Sequence, residues 1–175
     1  EDDKEYCGTG IPKFETNLNF SASYKGFDLS FSLSGVFGHK IYNGNRYFYE
    51  SMNAPINMLS TVVNAWTPEN THTDIPRAVN GDPNGNSRES ERFLENGSFV
   101  RLRQAQIGYT LPVSLLKKVK IEKLRFYISG DNLFTITGYS GVDPEFSTSS
   151  PLNSGVDRYI YPFTRSYTVG AQLTF

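Results

Sequence analysis

The feature that most constrains this chain is alternation. In five separate stretches, apolar and polar side chains trade places at every residue. From Phe14 to Lys25, Phe14, Leu18, Phe20, Ala22 and Tyr24 share one face, and Glu15, Asn17, Asn19, Ser21, Ser23 and Lys25 the other. From Phe27 to Gly38, Phe27, Leu29, Phe31, Leu33 and Phe37 oppose Asp28, Ser30, Ser32 and Ser34. Period two is the signature of a strand with one greasy and one wet face. Strands are therefore expected over 14–25, 27–38, 99–111, 124–136 and 165–175. Gly26 predicts a tight turn that joins the first two as a hairpin. In the third stretch the parity inverts: Val100 and Leu102 are apolar, then Ala105, Ile107, Tyr109 and Leu111. One inserted residue near Arg103, a β-bulge, accounts for the flip.

These strands run to about ten residues or more, whereas strands of globular proteins average about five or six. A tilted strand that crosses a bilayer needs about 9–11. The connections alternate between short (Gly26 and 112–123) and long (42–98 and 137–164). Short turns on one side and long loops on the other are the pattern of outer-membrane barrels. If Phe175 lies on the periplasmic side, both long loops are expected outside the cell. The fold class expected is all-β: the C-terminal strands of a large antiparallel transmembrane β-barrel, with a short helix in a long extracellular loop. Five strands do not close such a barrel, which needs at least about eight. The chain, which begins Glu1-Asp2-Asp3-Lys4 as if in mid-loop, is therefore expected to be a fragment. No run of about 18 apolar residues predicts a membrane-spanning helix, and no targeting leader opens the chain.

Aromatic residues make up 14% of the sequence, nearly all of them Tyr (11) or Phe (13), a mix suited to a wall that is greasy in one band and wet at its rims. The formal net charge of −1 gives no electrostatic case for nucleic acid. The single Cys7 excludes an internal disulfide.

The long 42–98 segment carries Met58, Leu59, Val62, Val63 and Trp66 at helical spacing, so a helix is expected there, ended by Thr67-Pro68. Tyr47-Phe48-Tyr49, with Trp66, is the candidate contact for a ligand or a covering partner, because flat aromatic rings anchor sugars and peptides alike. The alternative is that these rings pack the loop onto the rim. Catalytic patterns are lacking: His39 and His72 stand far apart, outside any metal-ligand motif, and no nucleophile elbow occurs. No cofactor or metal is expected. Asp82-Pro83-Asn84-Gly85-Asn86 is similar to a calcium loop, but its Gly falls at the fourth position rather than the sixth. Asp143, Glu145 and Asp157 read as a solvated acidic loop. The polar faces, with Glu15, Asn17, Lys25, Asp28, Arg125 and Asp131, are expected to line a lumen or meet a plug.

Five segments in series resemble the C-terminal region of the SusC/RagA family of TonB-dependent transporters. They are Tyr24-Lys25-Gly26-Phe27-Asp28-Leu29; Trp66-Thr67-Pro68-Glu69-Asn70 with Ile75-Pro76-Arg77; Asn96-Gly97-Ser98-Phe99-Val100-Arg101-Leu102-Arg103 with Ile107-Gly108-Tyr109; Gly130-Asp131-Asn132-Leu133-Phe134-Thr135 with Tyr139-Ser140-Gly141-Val142-Asp143-Pro144-Glu145; and Tyr161-Pro162. The resemblance implies a barrel of about 22 strands around a plug in the bacterial outer membrane. It further implies a SusD-like surface lipoprotein as lid, TonB as the energy source, and oligosaccharides or peptides as cargo. The last strand, with Tyr167, Leu173 and Phe175 on one face, resembles the signal read by the barrel assembly machinery. A secreted β-sandwich that binds glycans is the competing expectation. It requires a second layer over the apolar face.

Overall fold

The structure is a computed structural model and describes residues 4–116, 121–146 and 153–175. Parts of the opening Glu1-Asp2-Asp3-Lys4 segment, of the 112–123 turn and of the 137–164 loop therefore lie outside the described residues. The elements in chain order are β1 (Phe14–Tyr24), β2 (Phe27–Phe37), β3 (Lys40–Asn43), α1 (Gly44–Tyr49), β4 (Leu94–Asn96), β5 (Phe99–Thr110), α2 (Val113–Leu116), β6 (Lys123–Thr137), β7 (Val156–Asp157) and β8 (Ser166–Thr174). They divide into two compact units.

The first unit holds 13–37, 98–137 and 163–175, and is one antiparallel sheet in the order β1-β2-β5-β6-β8. Its registers put like residues on like faces. Phe20 pairs with Phe31 and Phe31 with Ala105; Leu29 pairs with Ile107, Ile107 with Ile128 and Ile128 with Val169. β1 and β2 meet at Lys25-Gly26, both with positive φ (46° and 86°), the backbone of the hairpin turn whose twist matches its strands. Stacked pairs, Phe20–Phe31 at 5.1 Å and Phe27–Tyr109 at 4.5 Å, lock the register on the apolar side.

That apolar side is uncovered. Ile128 is 57% exposed and Val169 80%, with Phe126 and Leu173 exposed as well. Of the large apolar residues in the sheet unit, only Phe99 and Leu116 are buried among the described residues. A continuous greasy face across five strands far exceeds what water tolerates on a monomer. Among the described residues of this unit, no second layer of the kind a sandwich needs lies over that face.

The bulge sits at Arg103. Between Ser32 and Leu33 of β2, β5 inserts Arg103 between Gln104 and Leu102, and β6 in turn inserts Asn132 and Leu133 between Asp131 and Phe134. Asn132 takes a left-handed φ of 51°, which an Asn tolerates. The Arg103 side chain donates to Ser34 Oγ at 2.7 Å. Its neighbour Arg101, 2% exposed, donates to Thr135 Oγ1 at 2.9 Å and lies over the rings of Phe99 and Phe163.

The second unit gathers 4–12, 38–97 and the described part of 138–162. Its small sheet has the order β4-β3-β7, with β3 parallel to β7. Ile41 and Phe93 are fully buried, with Tyr139, Ile75 and Met52 nearly so. Among the described residues no helix is long and apolar enough to cross a membrane.

The helix expected over Met58–Trp66 is corrected to a single 3-10 turn, Ser60–Asn64. An amphipathic pattern folds as a helix when its apolar face is buried. Here Val63 is 81% exposed, and Thr61-Val62-Val63 are β-branched and stiff. The helix of this loop is α1 instead, where the Asn43 side chain accepts from Arg46 N at 3.0 Å and caps the first turn.

Candidate functional site

The candidate site is the loop unit, and its organising residue is Glu50. Its carboxylate is 1% exposed and receives Arg46 (Nε at 3.1 Å, Nη2 at 3.2 Å), Arg92 Nη2 at 2.8 Å and Thr61 Oγ1 at 2.9 Å. Residues 46, 61 and 92 are thereby tied to one buried anion. Arg46 also donates to Glu95 Oε1 at 3.0 Å. Glu95 accepts in addition from Asn43 Nδ2 at 3.1 Å and from Ser140 N and Oγ, both at 2.7 Å. Burial works against the charge on Arg46, but the hydrogen bonds to Glu50 and Glu95 outweigh it and hold its pKa above the ordinary value. Burial likewise pushes Glu95 upward, and the donors from Ser140, Arg46 and Asn43 overcome it, leaving the carboxyl below its usual range.

The aromatic candidates separate into two groups. Tyr47 turns inward, edge-on to Phe93 at 5.4 Å and tilted against Tyr42. Burial pushes the Tyr42 hydroxyl up to about 12. Phe48 and Tyr49 turn outward and form an edge-to-face trio with Tyr159, with centroids 5.2 to 6.1 Å apart. Trp66 joins neither group among the described residues. Its backbone N–H donates to Ile75 O at 2.9 Å, beside the turn closed by Thr67 and Asn70. Sequence reasoning missed Tyr159. Its φ of 57° is left-handed, and Asn45 Oδ1 holds its N–H at 3.1 Å. The Asn43 cap, two residues before Asn45, was the available signal, but nothing local linked it to position 159.

Beside the outer trio lies an open cleft of about 510 Å3, lined by Tyr49, Leu59, Val142, Tyr159, Ile160 and Tyr161 among others. A second, more polar cleft of about 690 Å3 is bordered by Glu50, Thr61, His72, Asp74 and Ile75. His39 is buried against Gly97, and His72 borders the second cleft.

The acidic loop expected around Asp143, Glu145 and Asp157 is corrected at one position. Asp157 is 3% exposed and accepts from Tyr139 Oη at 2.6 Å, because pairing of β3 with β7 draws it into the core. The carboxylate of Asp82 is occupied by its own loop. It accepts from Asn86 N and Ser87 N, each at 2.8 Å, and from Ser87 Oγ. In the sheet unit, Tyr167 and Leu173 stand on the apolar face opposite Gly130 and Leu124, and Phe175 follows β8. Asp28 and Arg125 pair on the opposite face.

The fold is shared with solved proteins. The RagAB peptide importer in its closed-closed state superposes with a TM-score of 0.82 at 32% identity, over 97% of this chain and 18% of that one. Its open-open state gives a TM-score of 0.80 over 94% of this chain and 17% of that one. TonB-dependent receptor P3 of Formosa agariphila is 35% identical over 179 residues, 99% of this chain and 17% of the relative. The chain belongs to the SusC/RagA family of TonB-dependent receptors. The receptor SusC of Bacteroides thetaiotaomicron is 27% identical over 160 residues, 90% of this chain and 15% of that protein. No family profile matches. This member of the SusC/RagA family thus spans about a sixth of the length of the relatives it resembles (17% for P3).

Proposed function

We propose that this SusC/RagA-type chain forms part of the wall of a bacterial outer-membrane importer. The observation that carries the reading is the uncovered apolar face running through all five strands in register. Hydrocarbon is the medium in which such a face is stable and a strand ladder can cross a membrane. The opposite face, with Asp28, Arg125 and Asp131, is the lumenal side, and the loop unit faces the exterior. The partners follow from the family. A SusD-like lipoprotein covers the loops, TonB supplies the work through regions beyond this chain, and the cargo is an oligopeptide or oligosaccharide. The solved neighbours at 32% identity are peptide importers, which favours peptides.

The test uses the full-length receptor with its lipoprotein partner. It should fractionate with outer membranes and require detergent for extraction. Deleting its gene should abolish uptake of the cognate oligomer, and collapsing the proton gradient should do the same in the intact strain. Recovery of the receptor in the aqueous fraction, or uptake indifferent to its loss, would sink the proposal.

A further inference from the structure

The cleft beside Phe48, Tyr49 and Tyr159 has a chemistry of its own. Its walls are the rings of Tyr49, Tyr159 and Tyr161 with the aliphatic groups of Leu59, Val142 and Ile160. These are surface residues: Val142 is 74% exposed and Tyr161 81%. A contiguous apolar recess of this kind on a loop surface marks a binding site rather than a stray exposed side chain.

Several of the polar groups at its edge are already committed. Asn43 Nδ2 donates to Glu95 and Ser140, and Ser140 donates its N–H and hydroxyl to Glu95. Arg46, the cation in the lining, is neutralised by Glu50 and Glu95 together. Asn45 Oδ1 holds the Tyr159 N–H. The recess therefore offers apolar area beside a cation that is already neutralised. An apolar side chain loses nothing by entering.

Tyr159 adds a second sign. A bulky residue at a φ of 57° is rare and strained, and it is held so by Asn45 of the α1 turn. The strain fixes the ring edge-on to both Phe48 and Tyr49, so the recess is preformed. Preformed aromatic anchors are where binding energy concentrates.

From this lining we infer that the cleft is a subsite for an uncharged apolar or aromatic side chain of a peptide. The inference rests on the import reading only for where the peptide goes afterwards. It is tested by equilibrium binding to the purified full-length receptor with its lipoprotein, in detergent, which needs no transport. The probes are acetyl-Leu-Phe-Leu-amide and maltohexaose. Val142→Gln and Tyr161→Ser are both at exposed positions, so the fold should tolerate them. Each should weaken tripeptide binding about tenfold, the loss typical of an interface anchor, and leave the thermal transition in place. Three results overturn the inference: no saturable tripeptide binding, tripeptide affinity unchanged in both variants, or maltohexaose as the ligand that the variants release. Detachment of the lipoprotein with tripeptide affinity intact would assign the recess to the lid instead. A receptor that binds the tripeptide through these residues but never transports it would leave the subsite standing and remove the import reading alone.

Discussion

Arg125 and Asp28 meet across a strand that belongs to neither. Arg125 stands on β6 and Asp28 on β2, with β5 between them, and Arg125 Nε reaches Asp28 Oδ1 at 2.9 Å while its Nη2 closes the fork. The bridge is possible because the residue beneath it is Gly108. A Cβ there would fall 2.5 Å from Arg125 Nη2 and 2.7 Å from both Asp28 oxygens.

Gly108→Ala should therefore displace the pair and lower stability by about 1–2 kcal/mol, the usual penalty of overpacking. Urea unfolding of the full-length receptor in vesicles reads the loss. In an Asp28→Asn/Arg125→Gln background the same substitution should be nearly silent, since the groups it pushes aside no longer hold each other. Equal losses in both backgrounds would show that Gly108 matters for some other reason.

The two faces of β2 should respond oppositely to charge. Leu33→Arg places a guanidinium on the apolar face at mid-strand and should lose about 2–4 kcal/mol if that face meets lipid. Ser32→Arg, one residue along and on the polar face, should lose far less. Assembly yield and unfolding in vesicles compare the two, and similar losses would refute the assignment of faces.

Glu50→Gln should unfasten the loop unit. It leaves Arg46 and Arg92, whose side chains are 21% and 15% exposed, without their shared anion. Removing one side of a buried pair costs about 3–5 kcal/mol. Hydrogen exchange should rise in 44–64 and 91–95 but not in the sheet. Protection unchanged in those segments would mean that the network is ornamental.

Alkali should loosen the same unit through Tyr42. Burial raises its pKa from 10.0 to about 12. A raised value means that the folded state keeps a proton the unfolded chain has begun to release. The stabilisation is therefore fully present below pH 10 and is lost as pH climbs toward 12. The Tyr42 hydroxyl is buried with no hydrogen-bond partner among the described residues, so Tyr42→Phe should be neutral or stabilising at pH 7. It should also remove this share of the alkaline sensitivity. A variant that melts with the same alkaline profile as the parent would contradict the assignment.

Much of the sheet was legible because alternation is a local code that burial cannot blur when one face is wet and the other greasy. The parity flip at Arg103 and the Lys25-Gly26 turn were equally local. The loop unit was not legible for the opposite reason. Tyr159 meets Asn45 across 114 residues, and Glu50 meets Arg92 across 42. Met58–Trp66 misled because spacing records which residues could share a face, not whether any surface awaits them. Tyr47, Phe48 and Tyr49 were singled out by type, but their division into an inner and an outer set depends on α1, whose Asn43 cap is a single residue's signal.

The insertions beside Arg103 have a geometric corollary. Between the same two rungs, β2 takes no extra residue, β5 takes one and β6 takes two. Lanes on a running track differ in this way only where the track bends. The surplus backbone, growing from strand to strand, cannot lie flat, so this rung is where the sheet is made to curl.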